Sequence, residues 1–133
     1  MYALSLKQPW ATLLVHGLKT VEVRRWSTRR RGRILIHAAR VPDTRTEAAA
    51  LVPEGLRLIS ELLGGFIGSA ELTGCCEYRN AEEFAAAQPM HLNDPAWFQP
   101  PVLNGFSFAN PMPLPFRPYS GWMRFFPVDE VEA

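Results

Sequence analysis

Gly17-Leu18-Lys19-Thr20-Val21-Glu22-Val23-Arg24 is the stretch on which the reading of this chain turns. Beyond the glycine the residues alternate. Side chains of an extended segment point to opposite faces in turn, so Val21 and Val23 share one face. Thr20, Glu22, Arg24 and, two residues on, Trp26 share the other. Gly17 also closes what precedes it. Pro9 suits a first helical turn, Trp10, Leu13 and Leu14 follow the helical period, and a glycine is the usual stop. The spacing predicts a short helix, a turn at Gly17 and a strand over Lys19 to Trp26. With the two valines toward the interior, the polar face would line a cleft, and Lys19 would project its ammonium over the mouth of the strand.

Outward from this stretch, Tyr2 to Leu6 alternates as a first strand. Ser27 to Arg33 is a basic turn, and Arg33 to Ala39 (RILIHAA) is apolar on both faces, as a doubly covered strand would be. Leu51, Leu56, Ile59, Leu62 and Leu63 have helical spacing, broken into two pieces at Pro53 and Gly55. Phe66 to Glu77 reads as a strand, and Asn80 caps a short helix over Ala81 to Ala87. Met90 to Leu103 reads as a loop with turns, and Gly105 to Ala109 as a strand. Asn110 to Pro118 reads as a proline-rich extended segment unable to donate a sheet ladder. Met123 to Val128 reads as a last strand before an acidic tail over Asp129 to Ala133. Short strands interspersed with short helices favour an α+β fold with a mostly antiparallel, curled sheet.

At 133 residues, with 47% hydrophobic and 20% charged positions, the chain fits one folded domain over residues 1–133. No run approaches the ~18 apolar residues of a membrane span, and the N-terminus lacks the pattern of a secretory signal. Cys75 and Cys76 are adjacent and too few for a disulfide framework or a zinc site, so a reducing, cytoplasmic setting is expected. A monomer is expected, without metal or other cofactor. The net charge of +1 hides a division. Residues 1–45 carry ten Lys and Arg against two acids, and residues 46–133 carry four against eleven. Either the basic half attracts phosphates, or the halves neutralise one another across the fold.

Three segments together resemble one family: LSLKQPWATLLVHGLKTVEVRRW at Leu4 to Trp26, RGRILIHAA at Arg31 to Ala39, and FSFANPMPLP, FRPYSGW and FF between Phe106 and Phe126. They are similar to the ASCH domain, a relative of the PUA fold, whose G-x-K-x-x-E-x-R pattern is met at every fixed position by Gly17, Lys19, Glu22 and Arg24. The resemblance implies a small five- or six-stranded PUA-like β-barrel flanked by short helices, with a cleft where the motif strand begins. It also implies RNA or DNA binding. In one bacterial branch of the family, the implied activity is instead hydrolysis of the amide of N4-acylated cytidine.

Chemistry assigns the candidates. Lys19, Thr20, Glu22, Arg24 and Trp26 are the nucleotide-binding set. Glu22 accepts from an exocyclic amine, Lys19 and Arg24 donate to carbonyl or phosphate oxygens, and Trp26 offers a face for stacking. Arg25, Arg29, Arg30, Arg31 and Arg33 are the phosphate-binding set, because the guanidinium fork fits phosphate oxygens. The partner expected is nucleic acid, RNA first, or a nucleoside or nucleotide. The alternative is a small amidohydrolase in which Lys19 and Glu22 are catalytic. Glu22 then stands where that branch carries a threonine, and Glu82, Glu83 and Asp94 are the possible further acids. Trp10 and His37 read as core residues. Neither Ser5 nor Thr20 shows an evident histidine base at short range, so a serine-type triad is not expected.

Overall fold

Two adjacent strands run the same way in the sheet of the computed structural model, which describes residues 1–129. They are β1 (Tyr2–Leu6) and β3 (Gly32–Ala38), paired in parallel with Ser5 opposite His37 and Leu6 opposite Ala38. The other strands are β2 (Val21–Arg24), β4 (Gly65–Tyr78), β5 (Leu103–Pro118) and β6 (Phe125–Pro127). All their pairings are antiparallel, and the spatial order is β2-β5-β4-β3-β1-β6. The fold is therefore α+β with a mixed, mostly antiparallel sheet of six strands. The expected barrel does not close: β2 and β6 remain edges, with no ladder between them. The sheet curls far enough for side chains to meet across the gap. Trp26, just beyond β2, packs edge-on against Phe125 of β6 at 5.6 Å, and the Arg24 guanidinium reaches the Ser5 carbonyl of β1.

Helix α1 (Trp10–Val15) fills the hollow of this curl. All six of its residues are buried, and they pack with Leu4, Leu6, Ile34, Ile36, Leu72 and Phe106 as the main core. The helix stops as expected, with Gly17 at φ +79°, a conformation costly for any residue with a Cβ. Gly68 of β4 lies so close beneath α1 that a Cβ there would come within 2.5 Å of Val15 Cγ1. A second cluster on the outer face joins Ala3, Leu35, Phe66, Phe126 and Val128. A third, made by Tyr78, Phe84, Ala87 and Leu103, lies beside α3 (Ala81–Ala86), whose N-terminus Asn80 caps.

Three expectations about elements change. The segment before β4 carries α2 (Thr46–Ala49) and two 3-10 turns at Glu54–Leu56 and Ile59–Glu61, three pieces rather than two, with Pro53 at the first break and Gly55 inside a turn. Part of the expected loop is helical, as α4 (Gln88–His91) and a 3-10 turn at Pro95–Trp97. The proline-rich segment continues β5 and pairs with β4 as far as Pro118. Alternate residues of a strand present their N–H to opposite edges, so Pro111, Pro113 and Pro115 remove donors from one edge only. Strand β2 pairs no farther along β5 than Ser107, which leaves that edge open. Of the acidic tail, Glu130 to Ala133 lies outside the described residues.

Candidate functional site

The alternation read in β2 is correct, and its orientation is reversed. Glu22 stands opposite Phe106 and Arg24 opposite Asn104, and side chains of directly paired residues share a face. Phe106 belongs to the main core, so Glu22 and Arg24 point into the hollow of the sheet. Val23 packs outward against the third cluster, and Val21 would touch any Cβ placed on Gly105. The cluster beside α3 covers Val23 on the outer face of β2, so both faces of the strand are at least partly covered.

Inside, the three charges of the motif converge. Glu22 lies between two cations: Lys19 Nζ is 3.4 Å from Oε1, and Arg24 Nε donates to Oε2 at 3.0 Å. Arg24 Nη2 also donates to the Ser5 carbonyl at 2.8 Å. Lys19 does not project over the mouth. It is 1% exposed, its ammonium donates to the His91 carbonyl at 2.7 Å, and it lies 4.9 Å from the centre of the Trp10 ring. The backbone explains this inward turn, because the Leu18 and Lys19 N–H groups both donate to the Leu13 carbonyl, which folds the chain back onto α1. Burial lowers the Lys19 pKa, and the neighbouring Glu22 carboxylate opposes that effect. The Asn104 carboxamide oxygen, behind Arg24, is buried and accepts no hydrogen bond.

In front of Glu22 and Arg24 opens a cavity of about 440 Å³, within the usual size range of small-molecule sites. Trp10 forms a wall, and Lys7, Asp43, Arg45, Asn93, Ser5, Val23 and Ala39 also line the cavity. Asp43 holds this wall together. It accepts from Trp10 Nε1 at 2.9 Å and takes a forked contact from Arg45, whose guanidinium lies 3.5 Å over the Trp97 ring. Arg45, and after it the Trp10 indole, hold the Asp43 carboxyl at a pKa of about 2 despite its burial. Three cations (Lys7, Arg24, Arg45) against two carboxylates (Glu22, Asp43) line the space. With Lys19 behind them, the site is net positive and suited to an acceptor-rich ligand.

Other expected residues lie elsewhere. Thr20 is exposed and outside the cavity. Trp26 is not an open platform, because its faces meet Phe106, Phe125 and the guanidinium of Arg124. Arg25 bonds Gln99, Arg30 lies 3.6 Å over Tyr2, Arg31 bonds its own turn, and Arg33 bonds the Asn110 carbonyl. None of these, nor Arg29, lines the cavity. Glu82 and Glu83 are exposed on α3, and Asp94 caps the 3-10 turn after it. Trp10 is core as expected and serves the cavity as well.

Sequence reading missed Asp43, Arg45 and Asn93, which come from loops. It also missed a histidine partner for Ser5. His37 Nδ1 is 2.9 Å from Ser5 Oγ, across 32 positions, with Nε2 2.7 Å from the Tyr119 carbonyl. The parallel pairing of β1 with β3 creates that contact, and no local signal in sequence announces it. Among the described residues, no ion pair joins the basic half to the acidic half. Every ion pair among the described residues joins neighbours in sequence, and Lys7, Arg25, Arg29, Arg30, Arg31, Arg33 and Arg40 form none there. Among the described residues, no helix is long and apolar enough to cross a membrane.

Comparison with known proteins agrees with this architecture. Over 50 residues the chain is 46% identical to activating signal cointegrator 1 of Homo sapiens, covering 38% of this chain and 9% of that protein. Over 37 residues it is 57% identical to the Mus musculus protein of the same name, covering 28% and 6%. It thus spans less than a tenth of the length of those relatives. The solved structure of ASCH from Zymomonas mobilis is similar at a TM-score of 0.62 and 19% identity, over 88% of this chain and 72% of that one. A mutant of the same protein gives 0.62 and 19% over 88% and 74%. At such identity the likeness is one of fold. The family model of the ASCH domain matches residues 4–128, from the first strand to beyond the last, and the chain belongs to that family.

Proposed function

We propose that the domain binds nucleic acid, single-stranded RNA foremost, by seating one nucleotide in the cavity before Glu22 and Arg24. The observation that carries this reading is the inward-facing pair itself. A carboxylate and a guanidinium lie at the floor of a space walled by an indole, with cations on its rim. A base edge needs such a combination of acceptor and planar donor, and an aromatic wall gives its ring a contact. Lys7 and Arg45 then meet phosphate or sugar, while Lys19, locked beneath Trp10, holds Glu22 in place rather than touching the ligand. The arginines at 25, 29, 30, 31 and 33 lie outside the cavity and extend the positive field along a longer strand.

The hydrolase alternative requires Lys19 and Glu22 to reach an acyl group. A lysine 1% exposed and bonded to the His91 carbonyl gives that reading less support. One set of measurements separates the two. Binding of ribo- and deoxyoligonucleotides is followed by fluorescence anisotropy at two salt concentrations, beside incubation with N4-acetylcytidine. The binding reading expects affinity that weakens with salt and at least a tenfold loss in Glu22→Gln and Arg24→Ala, with no cytidine released. Affinity indifferent to both substitutions removes it.

A further inference from the structure

A second cavity of about 490 Å³ lies on the outer face of the sheet, and one residue, Ser5, lines both it and the first. Ser5 forms the ridge between them. Its backbone carbonyl accepts from Arg24 on the inner side, while its hydroxyl bonds His37 on the outer side. The Tyr119 carbonyl can only accept, so Nε2–H donates to it, which leaves Nδ1 to accept from the Ser5 hydroxyl in the neutral ring, the form that burial favours by lowering the His37 pKa. The loop after Tyr119 lies flat on this imidazole. A Cβ on Gly121 would come within 2.6 Å of His37 Cε1, so only a glycine allows the approach. The next residue, Trp122, lines the second cavity and is 71% exposed. A tryptophan left so open beside a cavity is an unpartnered stacking surface.

Charge continues across the ridge. Lys7 follows β1 and lines the first cavity, while Arg40 follows β3 and lines the second. The two strands are parallel neighbours in register, so both cations leave the same end of the sheet, one on each side of Ser5. Both are exposed, and neither forms an ion pair among the described residues.

We infer that the second cavity is the subsite for the adjoining nucleotide of the same single strand. The linking phosphate crosses the Ser5 ridge between Lys7 and Arg40, and the second base stacks on Trp122. This rests on the proposed seating of the first nucleotide and makes the ligand a strand of at least two nucleotides rather than a free nucleoside. The direction of the strand is left to experiment.

The test compares nucleoside monophosphates with the corresponding dinucleotides, in ribo and deoxy forms of all four bases, by calorimetric titration at low salt. A stacked second base and its phosphate are expected to tighten binding about tenfold or more. Trp122→Ala, a change at an exposed side chain, is expected to reduce that gain to about twofold, within the range a lost stack explains. In the unaltered protein the Trp122 indole N–H resonance is expected to shift with dinucleotide and not with mononucleotide. Mononucleotide binding with no gain for the dinucleotide overturns the subsite and leaves the first seating intact. A gain that survives Trp122→Ala with the indole resonance unmoved overturns it equally. Failure of every mononucleotide and dinucleotide to bind overturns the proposed function, and the subsite falls with it.

Discussion

Replacing Lys19 by methionine separates a structural lysine from one that serves a ligand directly. Methionine keeps most of the side-chain volume and removes the charge. The substitution deletes a charge-assisted hydrogen bond to the His91 carbonyl, 2.7 Å long, and the contact with Glu22 Oε1 at 3.4 Å. Neither partner is wholly orphaned. The carbonyl keeps Asn93 Nδ2 at 3.0 Å, and Glu22 keeps Arg24. Relief of the buried ammonium's own desolvation offsets part of the loss. The net falls below the ~3–5 kcal/mol of a broken buried pair, at about 2–3 kcal/mol. With a urea m-value of about 1–3 kcal/mol per molar, the midpoint moves down by roughly 0.7–3 M.

Equilibrium urea unfolding, read by tryptophan fluorescence, measures this. Lys19→Met combined with Glu22→Gln should cost less than the sum of the two single changes, because the pair is lost only once, with a coupling of at least about 0.5 kcal/mol. The pH dependence has a defined sign. Lys19 titrates below its unfolded value of 10.5, so between the two pKa values the unfolded chain binds more protons, and Lys19's contribution makes stability rise with pH. Lys19→Met removes that rising component. A methionine variant within about 0.5 kcal/mol of the parent, with an unchanged alkaline profile, is what a solvent-exposed lysine would give. That result refutes the buried placement of Lys19 and with it the account of how Glu22 is held.

The Asp43 carboxyl, held at about 2 in the fold, contributes stability that is present above about pH 4 and lost as pH falls toward 2. Screening at the half-open Arg45 limits this to about 1 kcal/mol, and Asp43→Asn should flatten that part of an acid unfolding curve. Gly68→Ala should destabilise by about 1–3 kcal/mol in urea unfolding, because the added methyl meets both Val15 and the Met112 carbonyl, at 2.5 and 2.7 Å. Gly121→Ala should lift its loop from His37, seen as a changed His37 ring resonance and a weaker dinucleotide gain.

The strands of this fold are written plainly in its alternation, and β1 to β4 lie within a residue or two of where that alternation places them. The inward side of β2 is not written there. A period of two states which residues share a face and leaves open which face is inside when both are covered. Charge normally faces water, so the pattern alone puts Glu22 and Arg24 on the wetter side. The cover over Val21 and Val23 comes from residues 78–103, where short helices, prolines and aromatics carry no strong period. The prolines of β5 misled for a related reason, since local rules forbid a ladder and only the sheet order reveals an unpaired edge. At the site, the motif charges were legible as a group. Asp43, Arg45 and the Ser5–His37 pair depend on contacts between distant segments.

Placing a carboxylate and a guanidinium on the core side of a strand has an energetic consequence that bears on purpose. Apolar residues at positions 22 and 24 would pack against Phe106 without the desolvation of two ions, and buried pairs of this kind are often no better for stability than well-packed hydrophobic replacements. Lys19 adds a third buried charge whose own pKa is pushed down by the same burial. Stability alone therefore gives no reason for three charges here, whereas a ligand with both donors and acceptors does. The arrangement also explains why Lys19 is buried. An ammonium fixed from behind by the His91 carbonyl holds Glu22 Oε1 in one direction, and Arg24, fixed by Ser5, holds Oε2. A carboxylate clamped on both sides meets an incoming base with little side-chain entropy left to lose. Lys19→Met combined with Glu22→Leu and Arg24→Leu, which removes the whole charged set and leaves no buried ion unpaired, should accordingly give a domain about as stable as the parent that no longer binds a nucleotide. A triple variant that unfolds, or one that still binds, would show that these charges belong to the scaffold.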